Sequence, residues 1–294
     1  MTAEVAGMIS AGLAALVAGL ILVRARFRAT SGVGRVLVLG PVCEAAALAV
    51  FAAEHFFAAR DLMPAVPRYM PYPLFWTYFV GVALLAAAIS FIAWRHVRWS
   101  ASLLALLFVI IVATIHLPNL LTHTHERLFW TIVTRESAFA GGAMVLAGSV
   151  WPLGRPARIA LIRIGRGIVA AVLIFYSAQH FLFPRFVPGV PLGKLTPAWV
   201  PAPALLAYLV GITLLFSGIG LLVRPTIRVA AATSGIVLLL LTIFFYGPIM
   251  IMEIHSELAV EGVNYVADTL LFAGTVLLAG FGTLRPSGIR APLD

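Results

Sequence analysis

Five side chains of the 294-residue sequence have the types and placement to do chemistry: His55, His116, Glu136, His180 and Asp268. An imidazole titrates near neutrality and a neighbouring carboxylate fixes its tautomer, so a His–acid pair can relay a proton or hydrogen-bond a quinone carbonyl. If helices pack as antiparallel neighbours, the end of the helix carrying His55 comes near the start of the one carrying Glu136, and His180 likewise comes near Asp268. Such pairs also serve to tie helix ends together, and the spacing leaves both roles open.

Other constellations carry different chemistry. His123, His125 and Glu126, with Glu253, His255 and Glu257 farther along, have the residue types of a metal site, although their alternate spacing suits a loop better than a helix face. His55 and His116 have the types for axial haem ligation, a pattern broken in the second half, where the pair reads His180 and Tyr246. Cys43 is the single cysteine, which excludes an internal disulfide or dithiol pair; with Glu44 it is either a reactive couple or a buried packing element. The sequence holds no phosphate loop, dinucleotide fingerprint, zincin helix or nucleophile elbow.

The elements that must position these residues follow from composition. Hydrophobic residues make up 62% of the chain and charged residues 11%, which excludes a water-soluble enzyme, a disulfide scaffold and a disordered chain. Apolar runs long enough to cross a bilayer lie near 5–23, 36–58, 75–94, 100–118, 137–152, 160–183, 204–223, 229–251 and 265–283. The sequence thus predicts an all-α integral membrane protein with nine transmembrane helices. The net charge of +9 reports topology rather than nucleic-acid binding. If connections alternate sides, one side carries Arg24, Arg26, Arg28, Arg35, Arg95, Arg98, Arg155, Arg158, Arg163, Arg166, Arg224, Arg228, Arg285 and Arg290. The other carries only Arg60, Arg68, Arg127, Arg135, Arg185 and Lys194. In a plasma (inner) membrane the positive-inside rule then puts the N-terminus outside and the C-terminus in the cytoplasm, with the five candidate side chains at the outer face.

The first stretch has Glu4 before it and arginines after it, the flanks of an uncleaved anchor rather than a signal peptide. Its small residues Ala11, Ala15 and Gly19 allow close helix contact, either with its own bundle or with a second copy. The remainder repeats. Tyr78, Gly81, Leu84, Ile89, Arg98 and Pro118 recur as Tyr208, Gly211, Leu214, Ile219, Arg228 and Pro248, and His55-Phe56 recurs as His180-Phe181. Glu136 to Gly148 matches Asp268 to Gly280, and the connection after His180 is five residues longer than the one after His55. Four spans per unit make the repeats parallel. Residues 1–30 read as an N-terminal anchor, 35–152 and 156–285 as two four-helix bundles, and 286–294 as a cytoplasmic tail.

The order His55-Phe56, Met63-Pro64, Val66-Pro67, Tyr69-Met70-Pro71, Pro73, Gly81, Arg98 and Pro118 resembles the DoxX-like family of four-span membrane proteins. It recurs as His180-Phe181, Val187-Pro188, Pro201, Pro203, Gly211, Arg228 and Pro248, so the chain resembles a tandem DoxX-like protein with an added N-terminal helix. Asn119, which follows the third-span proline as in the family, is Ile249 in the second unit. The resemblance implies a redox-associated role at a bacterial inner membrane, with quinone as the cofactor and a redox subunit as partner beside the lipid bilayer. His55, His116 and Glu136, with His180 and Asp268 as counterparts, are the candidate cofactor-binding residues; whether the chain itself catalyses a reaction stays open. A non-enzymatic membrane scaffold or assembly subunit and a small-molecule or metal transporter are the alternatives.

Overall fold

A computed structural model describes residues 1–152 and 156–284. The expected tail 286–294, with Arg155, Arg285 and Arg290, lies outside the described residues. The chain is an all-helical, multi-pass membrane protein, without a β-strand among the described residues. The helices are α1 (Ala3–Leu22), α2 (Arg24–Ala29), α3 (Gly34–Leu37), α4 (Gly40–Phe57), α5 (Ala59–Leu62), α6 (Pro73–Ala93), α7 (Val97–Ile111) and α8 (Leu117–Thr122). There follow α9 (Arg127–Val150), α10 (Pro156–Leu182), α11 (Pro203–Leu222), α12 (Ile227–Leu241), α13 (Gly247–Glu253) and α14 (Ala259–Phe281). Among the described residues eight helical stretches are long and apolar enough to cross a membrane: α1, α3–α4, α6, α7–α8, α10, α11, α12–α13 and α14.

α9 is not one of the eight. The expected span near 137–152 is the second half of a 24-residue helix that begins ten residues earlier, at Arg127. The sequence reading assigned Arg135 to a loop. It lies instead inside α9, where its charge faces other protein groups rather than water.

Local sequence sets several helix ends and bends. α6 and α11 each start at a proline, Pro73 and Pro203, which lacks the N–H that a first helical turn leaves unpaired. Pro118 and Pro248 interrupt the α7–α8 and α12–α13 rods. A proline removes one ladder hydrogen bond and crowds the carbonyl four residues back, and just before each proline the helix widens into a π-turn, Val112–His116 and Thr242–Tyr246. His116 and Tyr246 are the last residues of these turns, so both are turned out of ordinary α-helical register.

Within a bilayer, helices gain little from apolar burial against each other, so close packing and interhelical hydrogen bonds hold them together. Small residues do this throughout. α1 lies along α4 through Gly12, Ala15 and Gly19, with the position of a Gly12 Cβ only 2.5 Å from Val50. The small-residue stripe of the first helix therefore serves its own bundle. Gly141 of α9 and Gly165 of α10 bring their backbones together, and a Cβ at Gly274 of α14 would lie 2.8 Å from Glu44 of α4.

The helix neighbours differ from the expectation of two bundles in which first and fourth helices pair. α4 packs on α6 and α14, while α10 packs on α11 and α9. Each unit's first helix thus lies along the other unit's fourth, with α9 and α14 in contact between them. The reason is steric: the Ala-rich α4 meets α14 at Gly274, α10 meets α9 at Gly165 and Gly141, and Gly142 admits Thr275 between α9 and α14. Residues from both halves therefore meet at the N-terminal ends of α9 and α14.

Candidate functional site

Two carboxylates bind one guanidinium and a third lies near them. Arg135 of α9 donates from Nη1 to Asp268 Oδ2 of α14 at 2.6 Å and from Nη2 to Glu136 Oε1 at 3.0 Å. Glu54 of α4 accepts a 2.7 Å hydrogen bond from Asn264 Nδ2 of α14 and lies within electrostatic range of Arg135 and Asp268. All three carboxylates are buried. Three acids near one cation leave surplus negative charge in a medium that disfavours it. The Arg135 Nε–H has no hydrogen-bond partner among the described residues. Tyr176 of α10 stands beside the cluster, its hydroxyl donating to the Thr131 carbonyl at 2.9 Å.

Glu136 and Asp268 are therefore brought together, through Arg135 and not through histidine. The expected pairing of His180 with Asp268 does not form, because both ring nitrogens of His180 are occupied. Nδ1 donates to the Tyr176 carbonyl at 2.6 Å and Nε2 accepts from the Gly189 N–H at 2.8 Å. Nor does His55 hydrogen-bond to Glu136; His55 Nδ1 donates to the Phe51 carbonyl at 2.8 Å, and Glu136 is held by Arg135. In both cases the first helix packs more on the fourth helix of the other unit than on that of its own. His116 does come within electrostatic range of Glu136 and Arg135.

The 183–202 connection folds inward over this end of the molecule. Val187 to Leu192 are all buried. Arg127, at the start of α9, grips the carbonyls of Pro191 and Leu192, and its guanidinium stacks 3.8 Å from the Phe186 ring centre. Lys194 bridges to Glu253 at 2.7 Å and Glu261 at 3.4 Å. Partial burial works to lower the Lys194 pKa, but the hydrogen bond to Glu253 and the charges of Glu261 and Glu253 outweigh it and raise the value. Between this cap and α14 lies a cavity of about 520 Å³ whose walls include Leu128, Lys194, Asn264, Tyr265 and Asp268. Asp268 thus joins the ion cluster to an accessible space.

Among the described residues no group of three or more His, Cys, Asp or Glu is arranged to hold a metal ion. His123 stacks on Phe129 at 4.4 Å, and His255 Nδ1 lies 3.1 Å from the N-terminal amine. Cys43 and Glu44 are both buried in α4; Glu44 Oε1 accepts from Thr275 Oγ1 at 2.8 Å, and Oε2 has no partner among the described residues. Sequence reasoning missed Arg135, Arg127, Tyr176 and Glu54. For Arg135 a signal existed: an arginine directly before Glu136, with the neutral Ala267 at the matching place in the second unit.

No family model matches this chain, and no curated protein or solved structure matches it significantly.

Proposed function

We propose that this chain is a redox-associated membrane component that binds a quinone or small electron donor at its outer face and exchanges protons with it. In this reading it is a tandem DoxX-like protein of nine spans, with α9 as the ninth, an N-terminus outside and a cytoplasmic C-terminus in the inner membrane. His55, His116 and Glu136 serve the ligand, and Asp268 and His180 are the counterparts in the second unit. A redox partner subunit supplies or removes the electrons.

The observation that carries the reading is the buried acid cluster of Glu54, Glu136 and Asp268 around Arg135, with Asp268 lining a cavity at one end of the bundle. Quinone chemistry couples electrons to protons, so a protein that handles quinone needs a proton-exchanging group beside an amphiphile-sized space. The parallel local geometry of the two halves supports the tandem reading. Both third rods carry a π-turn before their proline, and both second helices follow a residue in the left-handed region, Tyr72 and Ala202.

Solvent extraction of detergent-purified protein, with chromatography of the extract, tests the reading. Wild type should carry quinone at near-stoichiometric amounts and Arg135→Gln much less. Folded wild-type protein that neither carries nor takes up quinone would overturn the redox reading in favour of a scaffold.

A further inference from the structure

His55 and His180 stand in the same local environment. Each donates from Nδ1 to the carbonyl four residues earlier, Phe51 and Tyr176. Each packs its Cβ over a glycine, Gly81 or Gly211, where a methyl group would lie 2.8 Å or 3.0 Å away. Each precedes a phenylalanine stacked on a tyrosine, Phe56 on Tyr78 at 6.4 Å and Phe181 on Tyr208 at 6.1 Å. Likewise His116 and Tyr246 each end a π-turn.

What lies between these two walls differs. In the second half a single peptide group of the cap bridges them. Its N–H, of Gly189, donates to His180 Nε2, and its carbonyl, of Pro188, accepts from the Tyr246 hydroxyl at 2.6 Å. Gly189 has φ +93°, a conformation that glycine alone adopts freely and that turns this peptide inward. His180 and Tyr246 are 2% and 0% exposed. In the first half the shorter connection does not reach in: none of residues 60–72 is buried, and His55 and His116 are only partly buried. Among the described residues His55 Nε2 makes no hydrogen bond and His116 makes none at all.

We infer that the space between His55 and His116 is a ligand site whose hydrogen-bond pattern is displayed by the Pro188–Gly189 peptide in the second half, and that it takes the reduced, hydroxyl-bearing form of a para-dioxygenated ring. The inference rests on the quinone reading above and adds the redox form, the location and the stoichiometry. Donation from Nδ1 to Phe51 leaves a neutral His55 ring with a lone pair on Nε2, so the ligand must bring a donor to that wall. The opposite wall, His116, offers a ring N–H where Tyr246 offers a hydroxyl, so the ligand accepts there. An imidazole is shorter than a phenol, and the ligand inferred for this place is a six-membered ring with oxygens on opposite edges. The oxidised quinone has only acceptors and would set a carbonyl lone pair against that of His55 Nε2. Phe57 and Leu117, beside the two histidines, are exposed on the outer surface of the bundle, which opens the site to a lipid-soluble molecule. In the second half the Pro188–Gly189 peptide already occupies the position between His180 and Tyr246, so one site of this kind remains per chain.

Equilibrium titration of the full chain in detergent with a short-chain benzoquinol and, separately, its benzoquinone, followed by tryptophan quenching, tests this. The quinol should bind one per chain and about tenfold or more tightly than the quinone, the scale expected for one hydrogen bond gained against one lone-pair clash. His55→Phe and His116→Phe should each abolish that preference, while Tyr246→Phe should leave it unchanged. Equal affinity for both forms, two sites per chain, or a preference that survives both histidine variants would overturn the inference and leave the broader quinone reading standing. Failure of both forms to bind would overturn the two together. The wild-type comparison decides even if a histidine variant does not fold.

Discussion

Arg135 is paired with two buried carboxylates. Its guanidinium is the cation that holds Asp268 and Glu136, and its side chain is only 15% exposed. Breaking a buried ion pair by removing one partner leaves the other charge uncompensated, which costs on the order of 3–5 kcal/mol. Arg135→Met should therefore lower thermal stability in detergent severely. Arg135→Met combined with Asp268→Asn and Glu136→Gln should recover most of the loss, because three neutral groups replace three charges. A single variant as stable as wild type would show that the carboxylates already carry protons and do not need the arginine. Glu44 is the opposite case. It has a hydroxyl partner in Thr275 and no cation beside it among the described residues, so it fits best as a neutral acid, for which glutamine is a close substitute.

At the scale of elements, the cap over the second half and the bare first half are the main asymmetry. Five added residues let the 183–202 segment turn in at Gly189 and insert Val187 to Leu192. Arg127 of α9 then binds the backbone of that segment. Arg127→Gln should loosen the cap and raise its rate of cleavage by added protease several-fold, with the helices intact by circular dichroism. A cap that stays equally resistant would assign its closure to His180, Tyr246 and the Lys194 bridges instead. The contact between α4 and α14 is equally specific. Alanine at Gly274 would set a methyl 2.8 Å from Glu44, and overpacking of this kind typically costs about 1–3 kcal/mol, read as a lower melting temperature.

For the whole molecule, orientation is the expectation with the most reach, since it decides which compartment meets the ion cluster. In a Cys43→Ala background, Tyr69→Cys should react with a membrane-impermeant maleimide in intact cells, and Ser31→Cys only after permeabilisation. The reverse pattern would turn the cluster toward the cytoplasm and remove the outer-face reading. The all-helical membrane class and most of the long apolar helices are legible in the sequence. Long apolar runs, prolines at helix starts and recurrence of Gly81 as Gly211 follow from covalent rules and bilayer thickness, which act along one dimension. The first half of α9 was misread, because a helix whose polar residues face other helices has the composition of a loop.

The sequence by itself determined the helical membrane class, most of the long apolar helices, and the residue types gathered toward one end of them, because each depends on hydropathy and spacing within a single segment. Only the tertiary structure decided which side chains meet. Helices of similar hydropathy can pair in many ways, and the choice rests on glycine contacts such as Gly142 with Thr275 and Gly274 with Glu44, which join the fourth helix of one half to the other half. That choice put Arg135 between Glu136 and Asp268. A cap whose inward turn rests on one glycine gave His180 Nε2 a backbone partner, and His55 Nε2 has none among the described residues.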